Sequence, residues 1–317
     1  MSMARKAKTG KIEPASLTMV FPTAPVAPGA TSSFTVDLSQ CASILNRRFY
    51  RQGLNWAVAG FKVTSLANNA SVLVKALPNT WVVSGSWEKS MRAWLKQQQQ
   101  ALDALDDPEP ARYRDYKIHA DATHVSAGFA SNLIPQDAAG NLFLQGEWEA
   151  SQIVIPNDGA VGTTTEYGLH MVGANVATSK CLIQGYANSR NTPHSPDPVS
   201  PGPLDNNFYN AMFDVGDNMD DVINNATDKN DNLPYDRDDY PGETANGGGL
   251  AWHDFAYITP TTIGGITRMK GGNFPCGLIR FDCGVDASES GAANFVIQVD
   301  LVPGRHRGYL AESMVEM

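Results

Sequence analysis

The sequence predicts an all-β protein: a single jelly-roll sandwich of two antiparallel sheets, with one inserted helix and long loops. Three observations carry that expectation. About ten short apolar runs recur without the strand–helix alternation of a doubly wound fold. The 28 Gly and 19 Pro fall between those runs, where they punctuate strands joined by loops. Only residues 86–105 carry a long stripe at helical spacing. The 317 residues, 42% of them apolar, suffice for a sizeable core, and β sandwiches of roughly 200–250 residues fold as one unit.

Residues 1–15 are polar and basic and predict a flexible N-terminal arm, leaving 16–317 as one domain. Segments 17–21 and 33–38 read as short strands around the loop PTAPVAPGA. The run LNRRFYRQGLNWAVAGFKV (45–63) starts as a knot of cations and aromatics and becomes an alternating strand at 54–65. A partner strand is expected at 72–83, where Pro78 suggests an edge or bulge. In the helix, Trp87, Met91, Trp94, Leu95, Ala101, Leu102 and Leu105 form the apolar stripe. Ser84 or Ser86 is positioned to cap its start, and DDP (106–108) to stop it. Trp56, Trp87 and Trp94 are assigned to the core.

Further strands are expected at 114–120, 146–155, 167–172, 180–186, 252–258, 278–282 and 294–302. The aromatic-rich GLAWHDFAY (249–257) reads as a core or contact segment. Residues 188–249, rich in Pro, Asp, Asn and Gly, read as a long acidic loop insertion.

The net charge of −9 by itself argues against a simple nucleic-acid binder, but the charge is unevenly distributed. Residues 1–53 hold Arg5, Lys6, Lys8, Lys11, Arg47, Arg48 and Arg51 against Glu13 and Asp37, a local net of +5. The remaining residues therefore carry −14. The asymmetry suggests a basic arm or face on an acidic body. These seven cations are the candidate nucleic-acid-binding set, with Arg beside Phe49 and Tyr50 suited to stacking on unpaired bases. A third basic element is GRHRG (304–308).

Cys41, Cys181, Cys276 and Cys283 form no CxxC pair and read as buried free thiols. No apolar run has the length of a membrane span, and the N-terminus lacks the apolar core of a signal peptide, so neither membrane nor secretion is expected. Two motifs raise other chemistry. Asp228, Asn230, Asn232, Asp236 and Asp239 fall at calcium-loop positions, although Leu233 stands where the loop needs Gly. That would suit a calcium-dependent β-sandwich binding module. His119 and Asp121 form an HxD pair that, with His253, could make an iron triad, with Arg268 clamping an oxoacid cosubstrate. That would make a jelly-roll oxygenase. No GxSxG, HExxH, phosphate loop or Rossmann fingerprint is present, so no enzyme and no cofactor are expected.

The runs SQCASILNRRFYRQGLNWAVAGFKV, LPNTWVVSGSWEKSMRAWLKQQQQALD, GEWEASQIVIPND and YGLHMVG resemble capsid proteins of small circular single-stranded DNA viruses that encode a replication initiator. The likeness to these circo-like proteins spans roughly residues 38–175. It implies a subunit that self-assembles into a small icosahedral shell around the single-stranded DNA genome, arm inside and acidic loops outside. It further implies a virion protein made in the host cytoplasm, with nuclear import and a host receptor left open. The chain departs from the better-known members in its arm, which has only four cations where theirs is long and arginine-rich.

Overall fold

The computed structural model describes residues 14–65, 67, 69–105, 114–156, 163–190, 249–259 and 266–317. Strands β1 (Thr18–Pro22) and β2 (Thr31–Asp37) lead into helix α1 (Leu38–Asn46), then β3 (Leu54–Ser65), β4 (Ala70–Ala76) and the long helix α2 (Trp81–Asp103). Helix α3 (Ala122–Ala127), strands β5 (Gln152–Pro156), β6 (Thr164–His170) and β7 (Ser179–Cys181), and helix α4 (Leu182–Arg190) follow. The chain returns through β8 (Ala251–Ile258), β9 (Ile266–Phe274), β10 (Leu278–Val285) and β11 (Phe295–Leu301). Short pieces β12 (Pro303–Gly304), β13 (Gly308–Tyr309) and β14 (Ala311–Ser313) come last.

The protein is mostly β, and its curled antiparallel sheets are compatible with a β-sandwich. One sheet joins β1, β11 and β3, with β9 and β14 also on β3; the other runs β2-β10-β4-β8. Eight strands of these two sheets pair in a nested order: β1 with β11, β2 with β10, β3 with β9 and β4 with β8. Contacts of β11 with β3 and of β10 with β4 join these pairs into sheets. Phe21, Phe61, Val63, Ile297 and Val299 of the first sheet share one core with Val36, Val72, Val74 and Phe281 of the second. The Phe61 ring meets Phe274 and Phe281 edge-on, each at 5.5 Å between centroids.

The long strand β3 changes its inward phase midway. Leu54, Trp56 and Val58 are buried, and then Phe61, Val63 and Ser65. The cause is a register shift against β11, where Leu301 pairs Val58 and Asp300 pairs Gly60, leaving Ala59 as the extra residue. Opposite it, Gly271 of β9 lies so close that a Cβ there would sit 2.1 Å from the Val58 carbonyl oxygen. Only glycine fits that approach.

Several elements differ from the sequence expectation. The expected single helix starts at Trp81 instead of 86 and ends at Asp103. Neither serine caps it: Thr80 occupies the N-cap without a side-chain bond, Ser84 Oγ donates to the Met314 carbonyl, and Ser86 Oγ to that of Val83. The β-branched Val82 and Val83, which read as strand, are fully buried in the first helical turn, so burial overrides propensity. Strand β4 therefore stops at Ala76, and Pro78 lies in the connector.

The fold also has helices beyond α2. Asp37 caps α1 by accepting from the backbone N–H groups of Ser39 and Gln40. The expected strand at 180–186 is the short β7 followed by α4. Segment 114–120 forms only an isolated bridge, His119 to His170, and β9 was not anticipated.

A second apolar cluster joins α2, α4 and the 116–120 segment: Val82, Val83, Trp87, Trp94, Tyr116, Ile118, Leu169, Met171 and Ile183. Cys276, Leu278 and Met314 belong to it as well, tying it to the end of the sheets. All four cysteines are buried free thiols, and Trp56, Trp87 and Trp94 lie in the core as expected. No helix among the described residues is long and apolar enough to cross a membrane.

Candidate nucleic-acid interface

The basic loop between α1 and β3 is built by alternation. Helix α1 is capped by Arg47, whose left-handed backbone (φ 53°) turns the chain, and from there Tyr50 and Gln52 are buried while Arg51 stays exposed. Tyr50 is fully buried beside Trp56 and Tyr309. Its N–H donates to Ser43 Oγ at 3.0 Å and its hydroxyl to the Arg307 carbonyl at 2.9 Å. Gln52, also fully buried, donates to Asp37 Oδ2 and the Ile118 carbonyl and accepts from the Ile118 N–H. Two side chains thus staple the arginine loop to the body, and Tyr50 is not available for base stacking.

Beside this loop lies a cleft of about 750 Å³. Its rim carries Arg48, Arg51, Arg114 and Arg307, with His306 and the single carboxylate Asp115. Its apolar lining includes Phe49, Trp87, Met91, Trp94 and Leu95. Arg307 comes from the β12–β13 hairpin, again through a left-handed residue (φ 51°), and its Nη1 donates to the Phe49 carbonyl at 2.6 Å. The Arg51 guanidinium lies 5.9 Å from the Phe49 ring centroid. Burial raises the Asp115 carboxyl to about 6, against the pull of Lys117, of its bond from the Gln52 N–H and of Arg51. Below that pH the cleft loses its one rim anion and becomes more positive.

Of the seven cations expected to meet nucleic acid, Arg48 and Arg51 line the cleft. Arg47 is exposed but not among its lining, and Arg5, Lys6, Lys8 and Lys11 lie outside the described residues. The fold adds Arg114 and Arg307. The GRHRG run signalled the second of these, whereas nothing around Arg114 marked it, because its place beside Arg51 depends on a fold that brings residue 114 next to residue 51.

No family model matches this chain, and no curated protein or solved structure matches it either.

The geometry does not assemble the expected iron triad. Both carboxylate oxygens of Asp121 accept from Arg280, Nη1 and Nη2 each at 2.6 Å, and Oδ1 also caps α3 through the His124 N–H. His119 stacks on Phe129, with centroids 4.4 Å apart. His253 instead occupies a bulge of β8, opposite Val74 and Lys75, packs on Phe61 and Phe274, and pairs its Nε2 with the Lys270 carbonyl. Arg268 sits on β9 opposite Lys62. Among the described residues no group of three or more His, Cys, Asp or Glu could hold a metal ion. The calcium-loop residues Asp228, Asn230, Asn232, Asp236 and Asp239 lie outside the described residues.

The buried histidines serve a polar network instead. The Ala120 N–H donates to His124 Nδ1, so the ring proton sits on Nε2 and is donated to Asn132 Oδ1. Asn132 then donates to Gln40 of α1. Burial lowers His119 to about 4 and His124 to about 3, and it lowers His170 as well. Asp37, buried under Gln52 and Trp148, is raised to about 6 by the loss of solvent.

Proposed function

We propose that this chain is a coat subunit: a jelly roll that self-associates into a small icosahedral shell enclosing circular single-stranded DNA. The nested pairing of eight strands in the two main sheets carries the reading. First with eighth, second with seventh, third with sixth and fourth with fifth is the order expected of two interlocked Greek keys, and it supports the jelly-roll plan shared by viral shells, lectins and cupins. The resemblance of residues 38–175 to circo-like capsid proteins favours the shell within that set. The cluster of arginines around an apolar cleft supports a nucleic-acid partner. In this reading the chain has no catalytic role and needs no cofactor. Its partners are further copies of itself, the genome and a host receptor, and its place of action is the virion.

Electron microscopy of the purified full chain is the test, with nuclease-resistant nucleic acid measured in parallel. Closed particles that protect DNA are expected. A strict monomer across a range of salt and pH would overturn the proposal.

A further inference from the structure

We infer that the cleft between α2 and the C-terminal hairpin is a site for one nucleotide unit, a base carried on a sugar phosphate; only the source of that ligand rests on the shell reading. Its two halves ask for different chemistry. The rim supplies Arg48, Arg51, Arg114 and Arg307, all arginine and no lysine. Planar guanidinium forks match phosphate oxygens in pairs and also stack on flat rings. The rest of the lining is largely apolar, with Trp87, Trp94, Met91 and Leu95. Inorganic phosphate would leave that lining wet, and an uncharged apolar ligand would make no use of the guanidinium cluster. A nucleotide satisfies both.

The volume, about 750 Å³, falls within the roughly 300–1,000 Å³ of small-molecule sites, so one nucleotide is accommodated with its chain neighbours outside. Against four guanidinium groups the lining sets a single carboxylate, Asp115.

The experiment follows the fluorescence of the full chain, with Trp87 and Trp94 as the reporters inside the cleft. Titrants are dAMP, deoxyadenosine, inorganic phosphate and a short oligo(dA). Saturable quenching by dAMP is expected, with affinity at least about tenfold above that for deoxyadenosine or phosphate alone. Arg51→Ala and Arg114→Ala should each weaken dAMP about five- to tenfold without lowering Tm, while Arg268→Ala on β9 leaves it unchanged. Oligo(dA) binding more tightly than dAMP assigns the site to a single strand; equal affinity assigns it to free nucleotide. Equal binding of dAMP and phosphate, or Arg51 and Arg114 variants that bind like the parent, would overturn the inference. Particle formation is read separately by microscopy, so a shell without this site and this site without a shell are distinguishable results.

Discussion

Asp121 grips Arg280 with both carboxylate oxygens where neither side chain meets much water, at 15% and 7% side-chain exposure. Removing one partner strands a buried charge. Asp121→Ala is expected to destabilise the protein by about 3–5 kcal/mol in denaturant unfolding, and replacing both residues by apolar ones to recover most of that loss. The buried titrating groups nearby oppose one another. His119, His124 and His170 have depressed folded values, so the stability they contribute at neutral pH is lost as pH falls from about 6.5 toward their folded values. Asp37 and Asp115 have raised values, so theirs is complete below the ordinary 3.8 and lost as pH rises through about 6. Between these limits the two carboxyls offset two of the three histidines, and Tm should fall only modestly from pH 6 to pH 4. Asp37→Asn removes one opposing slope. That variant should lose stability on acidification by up to about 1.4 kcal/mol per pH unit more than the parent, measured as the slope and not the level.

At the scale of the element, the crossing of β3 and β9 is the most demanding point. Gly271→Ala would drive a methyl into the Val58 carbonyl and the Ala59 backbone, at 2.1 and 2.5 Å. At Gly272 the nearest atom, 2.6 Å from a Cβ, belongs to the His253 ring, which can move. Thermal or denaturant unfolding should therefore find Gly271→Ala costing at least about 2 kcal/mol and Gly272→Ala less. The same elements mark what was legible beforehand. Strands β3, β8 and β11 were readable because their apolar residues alternate or cluster between turn residues. Strand β9 was not, since ITRMKGGNF buries only Met269 and Phe274 and places two glycines where a backbone passes close. Helix α1 had a readable cap in Asp37, but the run after it was absorbed into the strand before it and the basic loop beyond. The cleft was half legible: Arg48 and Arg51 stand out as a charge knot, whereas the place of Arg114 beside them is a property of tertiary structure.

For the whole molecule, charge separates from architecture. Residues 1–53 carry a net +5 on a body of −14, so in the proposed shell like-charged bodies must meet while the arms face the genome. Deleting residues 1–13 removes Arg5, Lys6, Lys8 and Lys11 and leaves every strand of the described residues in place. Particles should still form, with nuclease-protected DNA reduced several-fold. Undiminished protection would assign packaging to the cleft arginines instead. Raised salt should favour assembly of the arm-deleted chain by screening body against body.

The nested strand pairing also governs when the chain can fold. Strand β11 lies between β1 and β3, pairing Thr18 with Asp300 and Ser65 with Phe295. The first strand made is thus left waiting for one synthesised almost three hundred residues later, and contacts so distant in sequence form slowly. On the ribosome the first sheet has no centre until residue 301 has emerged. A chain halted before residue 295 would present β1 and one edge of β3 bare, a substrate for chaperones and proteases and not for assembly. Sheet order thereby acts as a timer, withholding the folded subunit until translation has passed its eleventh strand.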